Sequence, residues 1–283
     1  TLATQKYEFE RYDRAGRRII RTLPESILRH FYYKARGMEK GDSIFPSDLI
    51  TSPFRILNAQ RRLARLATTG LEDLAGKTFV YYPLLKEPEV SIMQVSPEYL
   101  SQHATILSLA RDLPAGVILA VKENATAVGR RVKSFYDQIT ALKNVVLLRP
   151  DTSSIEAIKQ AVATASIAGT ASMEAAILGK PTLTFSARIK WGFLPHARVV
   201  KSESELPSLL RWAVFGPFDA DQAHEDGARF LAALKESSMN LEGFGRDHKG
   251  SYVSDEKDTA ILYSSLCRSL GLSPVEASRK KVA

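Results

Sequence analysis

The chain holds a single cysteine, Cys267, in 283 residues. That excludes an internal disulfide and any cysteine-built metal cluster, and it suits a reducing cytoplasm. Long hydrophobic runs are missing too. No stretch of about 18 apolar residues is present, so the sequence offers no membrane-spanning helix. Histidine is scarce and scattered: His30, His103, His196, His224 and His248 show no ligand spacing, and no metal site is expected. The Gly-x-Gly-x-x-Gly and Walker phosphate loops are absent, as is the Gly-x-Ser-x-Gly elbow of α/β-hydrolases. Zinc-finger spacing and the RNA-recognition aromatic motif are also lacking, so dedicated nucleic-acid binding is not expected.

Negative charge is short at the front of the chain. Residues 1–70 carry 14 Lys+Arg against 7 Asp+Glu, whereas the whole chain has a formal charge of +8, which leaves the remainder nearly neutral. Arg17, Arg18 and Arg21 form one cluster, and Arg61, Arg62 and Arg65 another. Two readings stand: contact with an anionic surface, such as an inner membrane leaflet or an acidic glycan, or a solvated helical face. Thr1 is no initiator methionine, and the expectation is a chain processed or cut from something longer.

The segments at 24–40 and 54–67 have helical spacing, with Ile27, Leu28 and Phe31 on one face, so residues 1–70 read as a basic helical segment. From Thr78 the pattern changes. "TFVYY", "VILAVK", "NVVLL", "ASIAG", "TLTF" and "ARVV" are short β-type runs, separated by helical patterns at about 97–112, 130–142, 153–164, 171–178 and 203–214. Such alternation predicts βαβ units and a parallel sheet with helices on both faces, an α/β Rossmann-like domain over 75–215. Residues 219–283 read as a helical carboxyl-terminal segment in which "GFGRDHKGSYVSDEKD" is a loop candidate and Cys267 a buried helix residue.

Three stretches could carry chemistry, because ligands of open parallel sheets sit beyond the carboxyl ends of the strands. In "SIAGTASMEAAILGKP" a strand closes near Ser166–Ala168 and a small-residue helix opens at Gly169-Thr170. Bare first-turn N–H groups and the positive end of the helix dipole would favour an anion there, with Thr170 and Ser172 adding hydroxyls and Glu174 in the first turn. A purely structural helix cap reads equally well. In "YYPLLKEPE", Glu87 or Glu89 could orient a sugar or serve as acid or base. In "VILAVKENATAVGRR", Lys122, Glu123 and Asn124 leave a strand ahead of Gly129 and two arginines; a rim salt bridge involving Lys122 would explain them as well.

Together, "YYPLLKEPEVS", "LARDLPAGVILAVKENATAVGRR", "NVVLLRP" and "IAGTASMEAAILGKPTLTF" resemble, in order and spacing, the capsule polysaccharide biosynthesis family, which includes Kdo-transferring glycosyltransferases. The resemblance covers about residues 78–186. Leu85 and Glu87 stand near that family's histidine and glutamine, and Lys122-Glu123-Asn124-Ala125 replaces its Lys-Glu-His-Pro, whose histidine is associated with the nucleotide phosphate. Asn124 can donate a hydrogen bond there but carries no charge.

The resemblance implies the donor-side half of a GT-B glycosyltransferase acting in capsular or surface polysaccharide synthesis. Its substrate would be a nucleotide-activated sugar, with a CMP-linked acidic sugar such as Kdo as one candidate, passed to a glycan or glycolipid acceptor without metal or other cofactor. Lys122, Asn124, Gly169, Thr170, Ser172 and Glu174 would bind the donor, and Glu89 and Glu123 are the candidate catalytic carboxylates. The location implied is cytoplasmic, peripheral on the inner face of the membrane. The alternatives are a degenerate nucleotide- or glycan-binding module without turnover and a nucleotide-sugar epimerase-like enzyme.

Overall fold

The computed structural model describes residues 24–25, 27–28, 31–32, 35–36, 46–87, 90–132, 134–239, 241, 245–246, 252–253 and 256–271. The chain divides into two compact units, residues 1–228 and 229–283.

The first unit is built on six parallel strands: β1 (Phe79–Pro83), β2 (Ile118–Lys122), β3 (Val145–Leu147), β4 (Ala163–Ser166), β5 (Thr182–Thr184) and β6 (Ala197–Val199). Their order across the sheet is β3-β2-β1-β4-β5-β6, so the chain reverses its direction of travel between β1 and β4. This is a doubly wound, Rossmann-like α/β sheet, and the crevice at such a reversal is where open sheets of this kind bind ligands.

Every residue of β4 and β5 is buried, as a parallel sheet covered on both faces requires. The two-residue period of a strand sorts side chains between those faces. Val80 and Tyr82 of β1, with Leu119 and Val121 of β2, join a larger core under α1 (Pro46–Leu66), α3 (Gln102–Asp112), α4 (Phe135–Thr140) and α7 (Leu206–Phe215). Phe79 and Tyr81, with Ala120, face the other way, against α5 (Ser154–Gln160) and α6 (Thr170–Ile177). The short α2 (Val90–Val95) follows β1, and α8 (Ala220–Ser237) follows α7 in the chain.

All six β-type runs of the sequence became strands, with one shift. β4 ends at Ser166, so Ile167–Gly169 of "ASIAG" forms its exit instead of its body. The exit is held by the end of β5: Ser186 N and Thr184 Oγ1 donate to Ile167 O at 3.0 and 2.8 Å. α1 also begins earlier than its arginine-rich pattern, at Pro46, and buries Leu63 against the core.

"AILGKP" closes α6 with a Schellman arrangement. Lys180 N donates to Ala175 O at 2.9 Å and Gly179 N to Ala176 O at 3.1 Å, with Gly179 at φ +68, where a side chain would be strained. The buried His196 ring adds a contact from Nε2 to Ala176 O at 2.7 Å. In the second unit, a two-strand antiparallel pair, β7 (Gly245–Arg246) and β8 (Tyr252–Val253), lies within the stretch expected as a loop. α9 (Glu256–Ser269) follows and buries Cys267.

Candidate functional site

Three strand exits lie side by side at the carboxyl edge. The β1 exit (Leu84–Glu87) runs between the β2 exit (Lys122–Asn124) and the β4 exit (Ile167–Gly169), because β1 pairs with β2 on one side and β4 on the other. Lys122, register partner of Pro83, therefore stands two strands from β4, about 10 Å at ordinary strand spacing.

Gly169 is the N-cap of α6, in extended conformation with φ −77 and ψ 157. Its N–H donates to the buried Ser166 Oγ at 3.1 Å. A glycine is favoured here by contact, not by φ, since a side chain would oblige Leu85 to shift. A Cβ would lie 2.8 Å from Leu85 Cδ2 and 3.0 Å from Ser166 Oγ. Thr170, the first helical residue, is exposed, and helix geometry gives the N–H groups of Thr170 and Ala171 no acceptor within the helix.

Ser172 differs from the expectation of a hydroxyl offered to ligand. It is fully buried, and its Oγ donates to Gly169 O at 2.7 Å, so its one proton closes the cap from inside. Glu174 is also displaced from its expected place. It is the fifth residue of α6, beyond the first turn, and partly buried.

Lys122 and Glu123 point to opposite faces, as neighbours leaving a strand do. Lys122 Nζ donates to Ser154 Oγ at 3.0 Å, and Tyr81 OH reaches the same oxygen at 3.2 Å, on the face that α5 and α6 cover. Lys122 is thus tied to α5, while Glu123 turns to the other face of the sheet. Asn124 is partly buried at the β2 exit, its N–H donating to Glu123 Oε1 at 2.6 Å.

Glu123, expected as a candidate catalytic carboxylate, is instead buried in a polar network. Its side chain and that of Arg131 are each 1% exposed, and they form a two-pronged ion pair through Arg131 Nε and NH2. Tyr136 OH donates to Glu123 Oε2 at 2.7 Å. With both carboxylate oxygens engaged, Glu123 has no face toward a ligand. Arg131 reaches further, to Leu85 O at 2.7 Å and Glu87 Oε2 at 2.9 Å, and lies over the Phe135 ring at 4.7 Å. Burial works against the guanidinium charge, but the hydrogen bonds and charge of Glu123, joined by Glu87, outweigh it and hold the Arg131 pKa above its ordinary value. Gln102, at the start of α3, completes the network. Its Nε2 donates to Leu85 O and Glu87 Oε1, each at 2.8 Å, while its Oε1 accepts from Leu85 N at 2.7 Å.

Glu89, the other candidate catalytic carboxylate, lies outside the described residues, as do Arg17, Arg18 and Arg21. The structure thus brings Lys122, Asn124, Gly169, Thr170, Ser172 and Glu174 to one sheet edge and directs Glu123 away from it. Sequence reasoning missed Gln102 and Ser154, which carry no motif of their own, and noticed Arg131 only as one of two arginines after Gly129. A surface depression of about 370 Å³, lined by Leu107, Arg111, Leu142 and Asn144 among others, lies at the opposite, amino edge of the strands and is no part of this site.

Several solved structures are similar to the chain. One from Listeria monocytogenes, assigned as a UDP-N-acetylglucosamine 2-epimerase, has a TM-score of 0.38 at 13% identity, covering 59% of this chain and 46% of that one. The KpsC β-Kdo 2,7 transferase of Thermosulfurimonas dismutans has a TM-score of 0.33 at 18% identity, covering 64% and 63%. HepE of Anabaena, in complex with UDP-glucose, has a TM-score of 0.35 at 19% identity, covering 65% and 54%. The chain therefore spans between 46% and 63% of the length of these three. Overlaps at such TM-scores decide neither family nor function. No protein-family model matches the chain, and no curated protein matches it.

Proposed function

We propose that the carboxyl edge around β1 and β4 receives a nucleotide-activated sugar, its phosphate at the start of α6, and that the chain is the donor-binding part of a GT-B glycosyltransferase of capsular or surface polysaccharide synthesis. The observation that carries this reading is the Gly169 cap. A glycine whose Cβ would press on Leu85 opens an exposed helix start next to the strand-order reversal. The helix dipole and the N–H groups of Thr170 and Ala171 favour an anion there. Lys122 adds positive charge on the same face, and Asn124 a neutral donor. The four ordered motifs supply the sugar-transfer part of the reading, with a CMP-linked acidic sugar as donor and a glycan or glycolipid as acceptor. Residues 1–70 would meet the anionic inner face of the membrane. No helix among the described residues is long and apolar enough to cross one.

A second reading, a nucleotide- or glycan-binding module without turnover, is favoured by a specific observation. Both described carboxylates of the motif exits, Glu87 and Glu123, are paired with Arg131. Hydrolysis or transfer of CMP-Kdo by the full chain separates the two. Turnover lost in Glu89→Gln supports the enzyme, while CMP binding with no turnover supports the module. Gly169→Val should abolish CMP binding by calorimetry in either case with circular dichroism unchanged, and retained affinity would remove α6 from the reading.

A further inference from the structure

We infer that Arg131 is a positioning residue for the α6 site, setting how closely the β1 exit loop approaches the start of that helix; the inference rests on the nucleotide reading above. Arg131 and Gly169 stand 38 residues apart in the sequence, yet two contacts connect them. Its NH2 holds Leu85 O at 2.7 Å, and Leu85 Cδ2 occupies the space that a Cβ on Gly169 would need, at 2.8 Å. Leu85 is therefore the wedge between the network and the site.

The network fixes that wedge from three directions. Glu123 anchors Arg131 to the end of β2, Glu87 binds it from the same loop as Leu85, and Gln102 clamps both Leu85 N and Leu85 O. Only a planar fork can serve two carboxylates and a carbonyl together, and a lysine ammonium in its place loses that geometry while keeping the charge. The Arg131 and Glu123 side chains are each 1% exposed, so neither touches a bound nucleotide. Their effect would be transmitted as the position of Leu85 against Gly169.

The test uses the full chain, with CMP and UDP as probes in calorimetry. Arg131→Lys, with unchanged circular dichroism, should bind the preferred nucleotide about tenfold more weakly, a difference of 1.4 kcal/mol. A double-mutant cycle with Gly169→Ala gives the readout that a merely stabilising ion pair would not move. With Leu85 released by Arg131→Lys, the added methyl group should cost several-fold less affinity than in the wild type. Unchanged affinity in a folded Arg131→Lys, or strictly additive effects of the two substitutions, overturns the inference. If Arg131→Lys does not fold, Glu87→Gln at the partly exposed end of the network decides: a several-fold loss supports the inference and wild-type affinity overturns it. Wild-type protein that binds neither nucleotide defeats the functional reading itself, an outcome distinct from binding that Arg131 does not affect.

Discussion

Gly227→Ala gives opposite answers from local propensity and from the structure. The residue lies inside α8, where replacing glycine by alanine ordinarily stabilises a helix by about 0.8–1.0 kcal/mol. Here the backbone of α8 passes against the carboxyl end of α6. A Cβ on Gly227 would fall well inside contact with Ile177 O and lie 2.7 Å from Ala176 O. Those atoms belong to a helix terminus already fixed by Gly179 and His196, so they cannot yield as a flexible side chain would. Overpacking of this kind costs roughly 1–3 kcal/mol, and rigid carbonyls put it at the upper end. The net effect is a loss of about 2 kcal/mol, which lowers Tm by roughly 4–8 °C for a unit of this size. Scanning calorimetry of wild type and variant reads this directly. A Tm raised by about 2–4 °C, as propensity alone requires, would refute the reasoning.

Three further outcomes are expected. Burial pushes the Tyr82 phenol well above its ordinary value, with the Thr105 side chain and Arg131 opposing. Above about pH 10 the unfolded chain releases this proton while the fold retains it, so stability falls as pH rises, and Tyr82→Phe should flatten the alkaline limb of a Tm–pH profile; parallel profiles would count against it. Lys122→Ala removes the bond to Ser154 Oγ and should weaken CMP or UDP binding at least about tenfold with little change in Tm; spared binding with a lowered Tm would reduce Lys122 to a tie between β2 and α5. Exposed Arg55, Arg61 and Arg65 of α1, with Phe54 58% exposed, should hold the chain on acidic liposomes. That binding should collapse as the Debye length shrinks from about 10 Å at 0.1 M salt to about 3 Å at 1 M, and salt-independent or absent binding would leave the basic segment a solvated face.

The sheet was legible because β1, β2 and β3 are nearly continuous apolar runs bounded by turns, a pattern that parallel strands buried on both faces impose. The period-2 sorting of Val80 and Tyr82 from Phe79 and Tyr81 follows once those runs are placed. The helix start at Gly169 was legible for a related reason: a helix cap demands particular residues locally. Side-chain direction was not. Ser172 turns inward to cap Gly169 O three residues back, and Glu123 turns to Arg131 and Tyr136 in a network that the distant β1 loop completes, and no motif announces either direction. Gln102 had no signal at all, since its role comes entirely from where α3 begins relative to Leu85.

The central claim is that a nucleotide phosphate sits on the first turn of α6. Amide NMR of labelled protein titrated with CMP and UDP tests it most directly. The account expects the N–H signals of Thr170 and Ala171 to shift with one of these nucleotides, to shift less with the corresponding nucleoside, and to be unresponsive in Gly169→Val. Saturable nucleotide binding that leaves those two amides unmoved, or binding by neither nucleotide, would contradict it.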